Sequence, residues 1–309
     1  MPRRRGQPPR TNGRGYGGRV SRSTVVTKTL RWYAGAARDL PWRRPDASPW
    51  SIMVSEFMLQ QTPVSRVLAP WQQWIDRWPT PTVLADAPSG EAVRAWGRLG
   101  YPRRALRLHA AATAIRDDHD GRVPDDYEAL RALPGVGDYT AAAIASFAYG
   151  RRHVVLDTNV RRVQTRIALG VEFPHGSTTA AERLLAEEFL PSKAERAARW
   201  AVASMELGAL VCTARSPRCG ECPVRLDCAW HRAGRPAWDG PARVGQRYQG
   251  TDRQCRGALL AVLRSSDVPV DDEELLDAWP DRRQAERARD SLIIDGLMIK
   301  RRAGYSLPG

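Results

Sequence analysis

Leu133 to Tyr149 reads Leu-Pro-Gly-Val-Gly-Asp-Tyr-Thr-Ala-Ala-Ala-Ile-Ala-Ser-Phe-Ala-Tyr, and the order of its parts decides the fold. Gly135 and Gly137 stand between a short helical stretch over 125–132 and a long apolar one over 138–149. Lacking a Cβ, they let the backbone turn tightly and approach another molecule. The second helix starts at Asp138, so its first amide N–H groups have no partner within the helix. Such a hairpin, Gly135-Val136-Gly137 with the helix behind it, suits a nucleic-acid phosphate held without reading sequence. Alone the turn is a weak signal, because any two packed helices need a tight join. Its weight comes from its neighbours.

Outward from the hairpin the pattern stays helical from Ser23 to about Ala229. Ser48-Pro49-Trp50 opens one helix, with Ser48 as N-cap and Pro49 at the first position. Further helices are expected over 63–77, 89–97, 102–118, 157–168, 178–188 and 193–210, joined by short Pro- or Gly-bearing turns. Alternating strand patterns are missing from this stretch, so the class is all-α. Residues 1–22 carry seven arginines and no acid, a composition that cannot form a core, and read as a disordered basic arm. Residues 232–250 read as a linker. After it, helices near 252–264, 271–278 and 281–294 precede a hairpin turning at Ala303-Gly304, which describes a small winged-helix-like α+β domain.

The 309 residues carry 48 Lys+Arg against 34 Asp+Glu, a formal charge of +14. That balance favours a polyanionic partner. No apolar run reaches the ~18 residues of a membrane helix, and the N-terminal arginines lack the apolar stretch of a secretory signal. A cytoplasmic protein is expected, without a membrane partner. Seven of the fourteen charges belong to the arm, where they give only sequence-independent, salt-sensitive attraction.

Cys212, Cys219, Cys222 and Cys228 place four thiols within seventeen residues. In a reducing compartment this means a tetrahedral zinc or an iron–sulfur cluster. Zinc more often shows two matched Cys-x2-Cys pairs, and the unequal spacing suits a cuboidal cluster better. Cys255 reads as an ordinary buried thiol. Asp157 follows the apolar run Val154-Val155-Leu156 and opens a helix, where a carboxylate is ordinarily an N-cap. Glu56 stands among Val54, Phe57, Met58 and Leu59, surroundings that raise a carboxyl pKa and make a general acid. A solvated glutamate on an amphipathic face is the plainer alternative.

Together these residues resemble the endonuclease III superfamily of helix-hairpin-helix DNA glycosylases. Pro41-Trp42-Arg43, Val54 through Thr62 (Val-Ser-Glu-Phe-Met-Leu-Gln-Gln-Thr) and Leu99 through Ala105 (Leu-Gly-Tyr-Pro-Arg-Arg-Ala) resemble the MutY-type adenine glycosylases, over about residues 30–231. The resemblance implies a two-lobed fold, with a six-helix lobe about 48–155 and a lobe from 23–47 plus 156–231 that holds a [4Fe-4S] cluster on the four cysteines. It implies excision of adenine mispaired with 8-oxoguanine or G in base-excision repair, by a monomer on double-stranded DNA at the nucleoid. Glu56 would protonate the adenine and Asp157 would stabilise or trap the sugar cation, oriented with Asn159 and Tyr139. The base must be flipped out first. The resemblance also assigns Gln60, Gln61 and Thr62 to the gap and the opposite base, Tyr101 to a wedge, and Arg38, Trp42 and Arg43 to the adenine pocket.

Strand-cleaving relatives place a lysine where this chain has Tyr139, so a monofunctional enzyme is expected. The chain departs from the family's pattern at Val202, where a Glu or Gln is usual, and in residues 251–309. That segment is too short and too helical for the β-rich domain that inspects 8-oxoguanine in many members. Arg282, Arg283, Arg287 and Arg289, with Lys300, Arg301 and Arg302 at the wing, offer a substitute, although interspersed acids also allow a solvated helix face. Two other readings stay open: a thymine or uracil mismatch glycosylase on the same scaffold, and a non-catalytic iron–sulfur DNA-binding protein.

Overall fold

Ser21 accepts a hydrogen bond from the Thr24 amide and opens helix α1 (Arg22–Ala36), the first helix among the described residues. The computed structural model describes residues 21–241 and 248–309. The basic arm therefore lies outside the described residues except for Ser21 and Arg22, and so does 242–247 of the linker. Arg22 is already built in, paired with Glu188 at 3.3 Å and lying over the Phe189 ring.

One lobe is made by α2 (Pro49–Leu59), α3 (Val64–Arg77), α4 (Pro81–Ala85), α5 (Ser89–Trp96), α6 (Arg103–Asp118), α7 (Tyr127–Ala132) and α8 (Asp138–Tyr149). Ser48 caps α2 with Pro49 at its first position, as its sequence predicts. The five-residue α4 is too short for periodicity to reveal, and it rests on the Thr80 cap. Indole rings fill the core here. Trp74 lies edge-on to Trp78 at 4.7 Å and to Trp96 at 5.6 Å, geometry that aromatic quadrupoles favour.

The chain then returns to α1 through α9 (Thr158–Gln164), α10 (Ala180–Phe189), α11 (Ala194–Leu210) and α12 (Ala229–Arg232). Val25, Val163, Ile167, Phe189, Trp200, Leu207 and Trp230 form a second core. The expected single helix over 157–168 widens at Thr165–Leu169 into a π turn, a local device that re-aims side chains at functional sites. Here it carries Arg166 inward, where the guanidinium is fully buried.

At the C-terminus α13 (Asp252–Ser265), α14 (Asp272–Leu276) and α15 (Arg282–Ile294) precede β1 (Ile299–Arg301) and β2 (Gly304–Ser306). The strands pair antiparallel with Lys300 opposite Tyr305, and Val270 makes an isolated antiparallel bridge to Tyr305. Three helices and this wing are the expected winged-helix-like arrangement. Its apolar residues, including the fully buried Cys255, are continuous with the core of the first lobe. Among the described residues no helix is long and apolar enough to cross a membrane.

Candidate active site and cluster cavity

Three groups distant in sequence meet where α2, α8 and α9 converge. Glu56 is 5% exposed near the end of α2. Burial pushes its carboxyl up to about 7, helped by the nearby Asp157 charge; the Tyr139 hydroxyl, donating to it, and the Arg43 charge hold it back. Tyr139 is held well above its usual range, by burial and then by the Glu56 and Asp157 charges, so it stays a phenol and a donor. Asp157 is the N-cap of α9 that the plainer reading expected, accepting the Val160 amide at 2.6 Å. Its second oxygen accepts Asn159 Nδ2 at 2.7 Å, and Asn159 Oδ1 accepts Arg162 at 2.9 Å. Burial raises the Asp157 carboxyl despite those donors. Gly208 on α11 lets Asn159 approach this closely, since a Cβ there would lie 2.6 Å from the Asn159 Cβ. Tyr139 and Leu156 also line a cleft that opens beside the hairpin.

Beside this group lies a second buried carboxylate. Glu206 on α11 is 0% exposed, and it accepts the Arg38 guanidinium at 2.8 and 2.7 Å and the Arg38 amide at 3.0 Å. Arg43 Nη1 lies 2.9 Å from the same carboxylate. Burial would raise Glu206, but Arg38's hydrogen bonds and Arg43's charge bring it below the usual range. The two arginines read from sequence are thus brought together by a glutamate that sequence reading did not single out. Its position one helical turn beyond Val202 was the available signal. Trp42 is buried, edge-on to Trp71 at 5.5 Å, so packing is the contact it makes.

Gln60, Gln61 and Thr62 end α2, and Gly100-Tyr101 precede α6. Both loops visit the left-handed region, Gln61 at φ 57° and Tyr101 at φ 47°, a conformation costly for residues with a Cβ. Arg104 holds them together. Its guanidinium donates to the carbonyls of Phe57, Met58, Gln60 and Gly100 and to Thr62 Oγ1, at 2.6 to 3.0 Å. Burial lowers its pKa to about 10. Sequence reading missed this role, although an arginine one turn before Leu108 on an apolar helix face was legible.

In the hairpin Gly135 has φ 79°, and a Cβ there would lie 2.7 Å from Arg107 and 3.1 Å from Phe57. Gly137 differs: its φ is −98° and open space surrounds it, so conformation does not demand glycine, while a ligand can approach. Val136 anchors the turn, buried, with its amide on the Leu133 carbonyl. The first helical bond of α8 runs from Ala141 to Gly137, leaving the earlier amides facing outward.

Cys212, Cys219, Cys222 and Cys228 line one cavity with Val163, Ile167, Leu207 and Trp230. All four thiols are free of disulfides. Among the described residues no three His, Cys, Asp or Glu side chains converge on a single ion; the sulfurs line the walls of a wider space. Burial pushes the Cys222 thiol up to about 12, and the other three cysteines add to this. Four such sulfurs ionise together only around a compensating cationic body, and the donor set fits an iron–sulfur cluster. Arg166 donates to Cys212 Sγ at 3.4 Å and stacks on Trp230 at 4.5 Å, supplying the outer-shell hydrogen bond such sulfurs use.

Of the C-terminal cations proposed to meet DNA, Arg282 is paired with Glu273 and Glu286, and Arg289 with Asp272 and Asp290. The solvated-face alternative describes Arg282, whereas Arg289 is turned inward over the Tyr305 ring.

Residues 54–188 match the family described as HhH-GPD superfamily base excision DNA repair protein, and 212–228 match the iron-sulfur binding domain of endonuclease III. An adenine DNA glycosylase of Mycobacterium tuberculosis (strain CDC 1551 / Oshkosh) is 53% identical over 285 residues, 92% of this chain and 93% of that protein. One from Mycolicibacterium smegmatis (strain ATCC 700084 / mc(2)155) is 52% identical over 289 residues, 93% of this chain and 97% of that protein. Among solved structures, a thermostable thymine-DNA glycosylase superposes with a TM-score of 0.61 at 27% identity, covering 69% of this chain and 97% of that one. The cavity is accordingly an iron–sulfur site, and the chain belongs to the HhH-GPD superfamily of base excision DNA repair proteins, among the adenine DNA glycosylases.

Proposed function

We propose that this protein is a monofunctional glycosylase that hydrolyses the N-glycosidic bond of adenine mispaired with 8-oxoguanine or G in double-stranded DNA. It acts as a monomer on DNA in the cytoplasm, at the nucleoid. The observation that carries the reading is the Glu56 carboxyl, buried, raised to about 7 and held by the Tyr139 hydroxyl beside Asp157. Adenine leaves poorly until protonated, and a carboxyl still protonated near neutrality supplies that proton. Loss of the base leaves positive charge on the sugar. Asp157, fixed by Val160 and Asn159, faces that charge and stabilises the cation or traps it. Tyr139 has no amine to form a Schiff base, so strand cleavage lacks an agent.

The rest of the site serves access. The hairpin at Gly135 and Gly137 takes a backbone phosphate, Gln60, Gln61 and Tyr101 fill the vacated stack, and Arg38 and Arg43 border the base pocket. A [4Fe-4S] cluster, held by Cys212, Cys219, Cys222 and Cys228, supplies a covalent pin for the loop that carries Arg215, Arg218 and Arg225. Within that loop Arg218 is tied to Glu221, and Asp227 ties the loop to Lys28 of α1 at 2.7 Å.

The test is excision from duplexes holding A opposite 8-oxoguanine, A opposite G, and T opposite G, with alkali added afterwards to open abasic sites. Cleavage of the adenine strands only after alkali is expected. Excision of thymine alone would establish the thymine reading instead. Breaks before alkali would overturn the monofunctional assignment.

A further inference from the structure

The winged domain is fixed against the first lobe by polar as well as apolar contacts. Arg94 on α5 donates to the Arg264 and Ser266 carbonyls, and Arg264 donates back to the Val93 carbonyl at 3.0 Å. Asp295 after α15 pairs with Arg103 of α6 and with Arg256 of α13. Gly90 sits so close to the segment after β2 that a Cβ would lie 2.1 Å from the Pro308 carbonyl oxygen. These contacts set where the first turn of α13 falls.

That turn falls beside Tyr101. Arg253 Nη1 donates to the Tyr101 hydroxyl at 3.3 Å, and the Arg253 guanidinium lies 5.2 Å from the centre of the Tyr248 ring. Tyr101 is 44% exposed and Tyr248 53%. Arg104 supports the Tyr101 ring from within the lobe, 5.7 Å from its centre. Arg253 is exposed and has no carboxylate partner among the described residues. An unneutralised guanidinium with free donors, stacked on one phenol and bonded to another, is a composite surface for a phosphate and the nucleotide attached to it.

We infer that Arg253, carried on Tyr248, extends the DNA-contacting surface from the winged domain to the strand opposite the flipped nucleotide, and positions the Tyr101 hydroxyl there. The inference rests on the proposed excision of adenine for the place of Tyr101 in the duplex. It moves the domain's DNA contact away from the arginines of α15. Two of those are neutralised by their own carboxylates, whereas the first turn of α13 is held against the probing loop. Arg253 is a positioning residue for Tyr101 and a phosphate contact in its own right.

The experiment uses the full-length protein with its cluster and a duplex carrying a non-cleavable adenine analogue opposite 8-oxoguanine, alongside cleavable duplexes with 8-oxoguanine or G opposite adenine. Arg253→Ala should reduce the slope of log affinity against log salt by about 1, as loss of one phosphate contact requires. Its preference for 8-oxoguanine over G should fall about fivefold, the scale of one hydrogen bond. Tyr101→Phe should reduce the preference similarly, and the double variant no further than either alone, because the two side chains share one contact. Arg253→Lys should restore the salt slope but not the preference. Arg282→Ala, already paired with Glu273, should leave both at the parent value. An unchanged slope and preference in Arg253→Ala, with the parent excising adenine, overturns the inference and leaves the function standing. Strict additivity with Tyr101→Phe overturns the positioning role. A parent that excises no adenine overturns the functional reading, and the salt slope on the analogue duplex still decides the Arg253 contact.

Discussion

Glu56 and Glu206 are both buried glutamates, on helices α2 and α11 that each pack against α8, and they are driven in opposite directions. Glu206 faces two guanidiniums and is pulled below the usual carboxylate range, although burial works against this. Glu56 faces a phenol and another carboxyl, and burial takes it up to about 7. Burial alone therefore does not make an acid. What decides is whether a full positive charge lies within hydrogen-bond reach. Arg43 touches Glu206 and only influences Glu56 from a distance, so one arginine separates the two roles.

The comparison breaks first at Glu56→Gln. The amide keeps the shape and loses the proton, so single-turnover excision should fall on the order of a thousandfold while duplex affinity stays within about twofold of the parent. Retained turnover would remove Glu56 from the mechanism.

Stability gives the two glutamates opposite signs. The folded protein holds the Glu56 proton up to about pH 7, whereas the unfolded chain releases it near 4.5. Its contribution is fully present below that unfolded value and is lost as pH rises through about 7. Glu56→Gln should therefore raise the Tm at pH 8, by up to about 3 kcal/mol of stability, and raise it much less at pH 5. Glu206 is the reverse: its lowered pKa contributes above the unfolded value and is lost as pH falls below it. Glu206→Gln should lower the stability at pH 8, and with it the Tm, by about 3 to 5 kcal/mol, since Arg38 and Arg43 then face a neutral amide. Equal signs for the two variants in thermal melts would undo the contrast.

A smaller effect is expected at Tyr139. Its hydroxyl stabilises the ionised form of Glu56, so Tyr139→Phe should move the alkaline limb of the excision profile upward, by less than about one pH unit. A downward move would mean that the phenol is not the donor.

Much of this was legible in sequence, for reasons that can be named. Pro49 after Ser48, the Gly135 turn and the 3.6-residue spacing of apolar side chains mark helix ends and buried faces, and the observed helices follow them. The glycine at 137 was legible as a position but not in its reason, because only its φ of −98° and the space around it separate access from backbone demand. The Cys pattern pointed to a zinc or iron–sulfur centre, and favoured the cluster, because four thiols at short spacing have few other uses. What stayed hidden was long-range pairing of like-looking residues. Arg38, Arg43, Arg104, Arg162 and Arg166 are five of many arginines in a basic chain, and composition gave no means of separating buried anchors from surface charge. Each of them is resolved only by what it reaches across the fold: Arg38 and Arg43 the Glu206 carboxylate, and Arg104 carbonyls more than forty residues away. The winged domain shows the same limit. Its topology was readable from three helices and a hairpin, yet the placement of α13 against Tyr101 depends on interlobe contacts such as Gly90 against Pro308.

The most direct test of the whole account is the single-turnover rate of adenine excision opposite 8-oxoguanine, measured from pH 5 to 9 at saturating enzyme. A carboxyl that titrates at about 7 predicts a rate that is level in the acid range and falls about tenfold per pH unit above neutrality. A rate that stays level to pH 9, with Glu56 intact and the duplex bound throughout, would contradict the assignment of Glu56 as the acid.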